Sequence, residues 1–425
     1  MGGSIFVKKS TRNLLRIAAL VVVAFALLEL LGQKAQPPEP AAIVYHVYAG
    51  NTHSHTAYTW SHGEQWMSGQ EAGEPRGGLR HSPEGVQFPP ENAVLKKNWE
   101  KVQGPPAEHF ALARADGYDF YIVTDHSQEV ALNPVSATND AWLATQQAAV
   151  KATVDGQFVA LAGYEHSENN GPGGVGHINV INTAGYLNAL APGIDLPYLY
   201  KWLETAASNG DGPVVASFNH PGARQYSDWA WRDPKITEII TMLEVVNSDK
   251  ATHYPAFINA LEKGWKVSPI AGADNHGLSG IKNRKARTFV LATNLTKAGV
   301  LDAMKHRRTY AALDGNIQCQ YSVNGRIMGS TLDAPTNFEF QIVVSDPDTN
   351  RPGDQITKLD IVKDGGVVAA EFTPTPDFSV KWDPTISGAT NKYFFVRVWN
   401  ASGGDTAGAD PSKPVAWLAP VWTGR

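Results

Sequence analysis

Histidines and carboxylates recur in this chain at places where they could share a metal. The stretch "AGNTHSHTAY" (49–58) sets His53 and His55 one residue apart. "FYIVTDHS" ends in Asp125-His126, "ALAGYEHS" in Glu165-His166, "VASFNHPG" in His220, and "PIAGADNHG" holds Asp274 and His276, while His177 opens "HINVIN". Residues i and i+2 of a strand face the same side, so His53 and His55 converge. Alone, a His-x-His pair says little. Together, seven of the 13 histidines and three carboxylates lie at the edges of apolar runs, nearly all just past a C-terminal end. Packing in a core would need a separate explanation for each one. Imidazole and carboxylate without thiolate suit zinc, manganese or iron. Eight such ligands exceed the four of one tetrahedral zinc, so two or three divalent metals with a bridging carboxylate are expected.

Such ligands need strand ends to stand on. Apolar runs at 43–49, 118–124, 157–163, 177–182, 213–218, 242–247, 267–273 and 287–292 read as strands. Between them, 106–115, 139–154, 196–208, 256–264 and 296–306 read as helices. The alternation predicts βαβ units, a parallel sheet and a barrel, whose active site stands at the C-terminal face of its strands. After residue 312 the helices stop. "QYSVNGRIMG" reads as a hairpin turning at Asn324-Gly325, and further strand-like runs separated by Asp, Pro, Gly and Asn predict an antiparallel β-sandwich. The segment 60–106 is irregular and rich in Gly, Pro, Glu and Trp, and is expected to wall the pocket.

The chain of 425 residues carries a formal charge of −5, which gives no reason to expect nucleic acid; a small-molecule substrate is the expected partner. The single cysteine, Cys319, excludes an intrachain disulfide framework and a Cys-rich zinc site. Residues 1–35 are basic and then apolar ("IAALVVVAFALL"), as in an export signal or anchor, and 36–43 form a Pro-rich linker. The body, 44–314 for the barrel and 315–425 for the sandwich, is therefore expected outside the cytoplasmic membrane. It would touch that membrane only through its N-terminal segment.

The motifs together resemble those of the PHP (polymerase and histidinol phosphatase) superfamily of metal-dependent hydrolases. "NTHSHTAY" is similar to the family's first motif, with Asn51-Thr52 in place of Asp-Leu; "VTDHS", "GYEHS", "GHIN", "NHPG" and "GADNHG" follow in order. The resemblance covers about 45–312 and implies a distorted (β/α)7-like barrel. It implies one metal held by His53, His55, Glu165 and Asp274, and a second by Glu165, His177 and His220. A third, in some members, uses His126, His276 and one more histidine, for which His62 is the candidate. "RTFVLATNLTKAGVLDAMKHRRTYAALDG" and the following sandwich resemble an extracytoplasmic branch that includes carbaryl hydrolases.

Other residues have two readings. Asp125 either orients an imidazole or caps a turn. Arg224, four residues past His220, either meets a substrate oxyanion or makes a surface ion pair. Glu244, inside a strand, needs a polar partner, and His166 should face away from Glu165. No Ser-His-Asp order is visible. The expected reaction is hydrolysis by a metal-bound hydroxide, with a phosphoester as first choice and a carboxylic ester or carbamate as second. The rival of another class is a non-catalytic binding protein led by the sandwich.

Overall fold

The computed structural model describes residues 43–68, 71, 80–168, 176–388 and 390–425, so the predicted signal segment lies outside the described residues. The chain enters through strand β1 (His46–Asn51). A small hairpin, β2 (Arg80–His81) with β3 (Gln87–Phe88), interrupts the irregular segment that follows. Then come β4 (Phe120–His126), β5 (Val159–Glu168), β6 (Gly176–Ile181), β7 (Val215–Asn219), β8 (Ile240–Asn247), β9 (Ser268–Gly272) and β10 (Arg287–Ala292). Their burial is almost continuous, as strands covered on both faces require.

Helices at Pro106–Ala115, Asp140–Ala152, Leu196–Leu203, Tyr254–Glu262 and Lys297–Lys305 alternate with these strands. Their starts are written locally. Asn139, Asp195 and Thr296 accept hydrogen bonds from Trp142 N, Tyr198 N and Gly299 N, and Pro106 opens its helix with the one residue that lacks an N–H to satisfy.

The sheet is mixed, which corrects the all-parallel expectation. β4 runs parallel to β1 and β5, and β8 runs parallel to β7 and β9. β6, however, is antiparallel to both β5 and β7. Only seven residues separate Glu168 from Gly176, too few for a parallel crossover, so β6 pairs antiparallel with β5. One reversed strand thus sits among parallel ones, and its first residues lie level with the last residues of its neighbours. His177 pairs in register with Ser167 and Asn219. β10, antiparallel to β1, occupies the other flank.

The far end of the sheet returns to the start. Ser54 and Asn275 form a parallel bridge, His55 N donates to Asn275 O at 2.9 Å, and Asp274 N donates to His53 O at 3.0 Å. Asn51 stitches the same edge, its amide donating to His53 O at 2.9 Å and accepting from Ala273 N at 2.8 Å. The loops leaving β1 and β9 are therefore neighbours.

Hydrogen bonding does not stop at the boundary expected near residue 315. β11 (Thr309–Ala312) pairs with β10 on one side. After it come β12 (Gln318–Val323), β13 (Arg326–Ile327), β14 (Asn337–Ser345), β15 (Ile356–Lys363), β16 (Val367–Phe372), β17 (Ser379–Trp382), β18 (Thr385–Ser387), β19 (Tyr393–Asn400), β20 (Ala416–Leu418) and β21 (Val421–Trp422). β20 pairs with the other side of β11, and β19, β15 and β16 extend the first sheet outward. β12, β13, β14, β17 and β18 form a second sheet, with the predicted hairpin at Asn324-Gly325. Tyr321, Phe338, Phe340, Phe394 and Trp417 are buried in the core that these strands share with the first sheet. Tyr45–Arg425 is one compact unit. No helix of the described residues is long and apolar enough to cross a membrane.

Candidate metal centre

Each predicted ligand except His62, which lies in the irregular segment after β1, stands at one edge of the first sheet, and its neighbours fix how it points. Glu244, on β8, accepts a hydrogen bond from Nδ1 of His53 at 2.8 Å. Thr59 Oγ1 lies 3.2 Å from Nδ1 of His55 and donates to Asp125 Oδ1 at 2.7 Å. Each ring thereby commits its Nδ1–H and turns Nε2 inward. The two Nε2 atoms face one another at 3.0 Å. Two lone pairs at that separation repel unless a cation, a proton or a metal, lies between them.

Glu165 is at the centre. Its Oε1 is 3.2 Å from His53 Nε2, 3.2 Å from His177 Nδ1 and 3.5 Å from His220 Nε2. Its Oε2 is 3.0 Å from His126 Nε2 and 3.8 Å from His55 Nε2. Asn219 and Ser167 donate to the two oxygens at 2.9 Å each, which holds the carboxylate in one orientation. Asp274 faces His55 Nε2 at 3.1 Å, His53 Nε2 at 3.5 Å and His220 Nε2 at 3.9 Å. His276 stacks on His55 with ring centroids 4.1 Å apart. His62, the most exposed member, lies 5.1 Å from the His126 ring.

Among the described residues, the groups that bring their donor atoms within 4.8 Å of one another include His53–His55–Glu165, His53–His220–Asp274, Glu165–His177–His220, His55–His126–His276 and His62–His126–Glu129. All nine predicted ligands fall in these groups.

The backbone is bent to deliver them. His220 and Asp274 have φ of 28° and 47°, in the left-handed region that non-glycine residues avoid. Just beyond His220, Tyr226, Ser227 and Asp228 form a left-handed turn with φ of 52–55°, at a cost of about 1–2 kcal/mol per residue. Burial of Tyr226 and Trp229 against Phe218 offsets that, each large side chain contributing roughly 1.5–3 kcal/mol. The Tyr226 hydroxyl, 2.8 Å from His177 O and 3.1 Å from Asn219 O, then fixes the strand edge that carries the ligands. At Gly272 a Cβ would overlap the Glu244 carboxylate and crowd His53, so only glycine lets that carboxylate reach the ring.

Charge is distributed unevenly over the rings. Burial pushes the His53 pKa down, but Asp274, Glu165 and Glu244 together raise it well above the ordinary value. Burial and the nearby His276 and His126 hold His55 well below it. Burial works against ionising Glu165 and Asp274, yet the surrounding histidines bring both well below the usual carboxylate range. A charged carboxylate pair ringed by imidazoles fits divalent cations of the zinc, manganese or iron type. His177 Nε2 and His126 Nδ1, both buried, accept or donate no hydrogen bond among the described residues, which leaves donor capacity for a metal. The donor set therefore fits the metals predicted.

Other sequence-based readings meet mixed outcomes. Asp125 accepts from Thr56 N and Oγ1 and from Thr59 N and Oγ1, so it both caps a turn and, through Thr59, orients His55. Arg224 is exposed, and among the described residues it makes no hydrogen bond or ion pair with the cluster. His166 does face away from Glu165; it is fully buried, and burial pushes its pKa down to about 3. Glu129 was missed. It is buried, lies 3.6 Å from His126 Nδ1, and accepts from Ser61 N at 2.9 Å beside His62. Its place three residues after His126 was the available signal. Asn219 and Asn247 were also missed, because an amide next to a ligand is common in any loop.

No family model matches the chain, and no curated protein matches it. Among the solved structures similar in part to this chain are two of bacterial proteins. One is a two-domain protein containing a predicted PHP-like metal-dependent phosphoesterase from Bacteroides vulgatus ATCC 8482, 16% identical, with 91% of this chain and 100% of that chain covered and a TM-score of 0.40. The other is PsfC from Pseudomonas syringae PB-5123, 15% identical, with 58% and 82% covered and a TM-score of 0.31.

Proposed function

We propose that this chain is a metal-dependent hydrolase of the PHP type, acting first on phosphoesters. The observation that carries this reading is Glu165: one buried carboxylate with each oxygen turned to a different set of imidazoles. That is the arrangement of a bridge between two cations. His53, His55, Glu165 and Asp274 would hold one metal, and Glu165, His177 and His220 a second. His126, His276 and His62 are the candidates for a third. Such metals supply an activated water and neutralise charge on attacking and leaving oxygens. The chain's own contribution is orientation. Glu244 and Thr59 set the rings of His53 and His55, Asn219 and Ser167 hold Glu165, and Asn247 Nδ2, 3.3 Å from Asp274 Oδ2, holds the second carboxylate.

A second reading, an ester or carbamate hydrolase for an aromatic substrate, has its own support. Trp60, two residues before His62, packs edge to face against Trp66 and Trp99, with ring centroids 5.2 and 5.1 Å away. Arg224, the cation considered for a phosphate, is not bonded to the centre. A panel of aryl phosphate, phosphodiester, aryl acetate and aryl carbamate decides: turnover of the acyl substrates alone would reverse the order. Metal analysis of the purified protein tests both readings at once, because one metal or none per chain removes the mechanism they share. The basic-then-apolar residues 1–35 support a place outside the cytoplasmic membrane, and full-length protein in the cytosolic fraction would remove that part.

A further inference from the structure

The irregular segment between β1 and β4 is pinned beside the histidine centre by one carboxylate. Glu129, in the loop after β4, is fully buried. Its Oε2 accepts from Ser61 N at 2.9 Å, and its Oε1 accepts from the Ser61 hydroxyl. Gln87, in β3, donates through Nε2 to Ser61 Oγ at 2.8 Å and accepts through Oε1 from Gln128 Nε2 at 3.1 Å. The backbone of Gln87 also bridges to that of Glu129. Two predicted ligands face this group. His126 Nδ1 is 3.6 Å from Glu129 Oε1, and His62 Nδ1 is 2.7 Å from Ser61 Oγ.

Counting donors fixes the state of both rings. A serine hydroxyl has one proton to give and two lone pairs. Ser61 gives its proton to Glu129, because an ionised carboxylate can only accept. Its lone pairs then take Gln87 Nε2 and His62 Nδ1, so His62 carries its proton on Nδ1. His126 has one nitrogen to give to a metal, and Glu129 decides which. A lone pair on Nδ1 would point at a buried carboxylate and be repelled, whereas an N–H there is attracted. The proton therefore stays on Nδ1. His126 Nε2 lies 3.0 Å from Glu165 Oε2, where its lone pair is stable once a cation stands between them. His276 obeys the same rule, since its Nδ1 is 3.2 Å from Asp274 O, a carbonyl that can only accept. In all three rings Nδ1 is committed and Nε2 keeps the lone pair. The three ring centroids lie 5.1–5.7 Å from one another.

We propose that Glu129, held by Ser61, is the positioning residue of the third metal: it fixes the protons of His126 and His62 on Nδ1, so that both offer Nε2 beside His276. The inference rests on the proposed hydrolase reading and deepens its third site. A carboxylate behind a histidine ligand orients the ring and raises its basicity. Here one carboxylate serves two rings, the second through the Ser61 hydroxyl. His62 depends on that link most. It stands off the sheet edge, and among the described residues its ring makes no other hydrogen bond.

The test is zinc titration of the full chain against a competing chelator, with Glu129→Gln beside the wild type. Glutamine keeps the shape and loses one acceptor. Ser61 N–H claims its oxygen, so its NH2 meets Ser61 Oγ and His126 Nδ1. The wild type should bind three ions. In Glu129→Gln the affinity for the third should fall about 10–100-fold, with the other two unchanged. An unchanged third ion, or equal losses at all three, overturns the assignment. A wild type that binds two ions overturns it and leaves the hydrolase reading standing, whereas one ion or none removes both. Should the variant not fold, nitrogen NMR of the zinc-loaded wild-type chain, labelled at histidine, decides. A proton on Nδ1 and metal on Nε2 in His62 and His126 supports the proposal, and metal on Nδ1 of either ring refutes it.

Discussion

The histidine centre and the loops that carry Asp314, after β11, and Asp346, after β14, both hold buried carboxylates, yet those carboxylates are shifted in opposite directions. Glu165 and Asp274 are held well below the ordinary range, while Asp314 and Asp346 are pushed above it. Burial opposes ionisation in all four. The difference is the neighbours: imidazoles around the first pair, other carboxylates around the second. The partner, not the depth, sets the sign. The two regions also differ in how the chain builds them. The first stands on strand ends, the second on loops whose residues lie up to some 90 positions apart in sequence.

The harshest way to break this comparison is to separate the two regions. A fragment of residues 44–314 removes β20 from the open side of β11 and uncovers core residues such as Tyr310. It should show no cooperative unfolding transition in urea by circular dichroism. A fragment that unfolds cooperatively and retains metal would make the C-terminal strands an independent module.

Next in size is Glu165→Ala. It removes the charge that several imidazoles share, so turnover should fall by at least about 10³-fold, and metal analysis should find less than the wild-type content. Near-normal turnover would leave the central carboxylate without a role and end the proposed mechanism.

His109 sharpens the role of neighbours, because it is buried far from any carboxylate cluster. Its Nε2 donates to Gln103 O at 2.7 Å, and burial, only partly offset by that bond, lowers its pKa to about 4. The neutral ring is therefore the stabilising form. Its contribution is complete above the unfolded value near 6.5. It is lost as pH falls from there toward 4, because the unfolded chain takes up the proton first. The loss should reach on the order of 3 kcal/mol. Stability measured by urea titration across pH 7 to 4 should flatten in His109→Gln by a comparable amount, and an unchanged acid limb would show that burial alone does not move this ring.

Smaller effects probe the groups that aim the ligands. Gly272→Ala displaces the Glu244 carboxylate from His53, and metal affinity should fall about 10–100-fold with the fold intact. Thr59→Val removes the link between His55 and Asp125, and should cost about 0.5–1.5 kcal/mol of metal binding by competition with a chelator. If Thr59→Val costs more than Gly272→Ala, the ranking of the two supports is reversed.

Much of this molecule was legible in residue order alone. Apolar runs of five to eight residues marked the strands to within a few positions, because continuous burial leaves no room for a polar residue. Asn, Asp and Thr before the helices marked their starts, because a cap acts on its own next three residues. The ligands at the ends of β1, β4, β5 and β7 stood out for the same local reason: each follows directly from an apolar run. His177 did not fit that rule, standing at the start of a strand.

What chain order determined, then, is whatever acts over a few residues: the strands, the caps, the hairpin at Asn324-Gly325 and the types of the metal-binding side chains. Tertiary structure decided what depends on partners far away in sequence. Reversal of β6 set His177 in register with Ser167 and Asn219, with its ring against the Glu165 carboxylate. The return of β9 to β1 set Asp274 against His55. Pairing of β20 with β11 joined the C-terminal strands to the first sheet. Glu244 reached His53 only because Gly272 leaves space on the adjacent strand, and Arg351 came to face Asp405 only because two loops fold together. Propensity and capping are set by near neighbours, whereas an electrostatic partner is set by position in space, which no short stretch of sequence records.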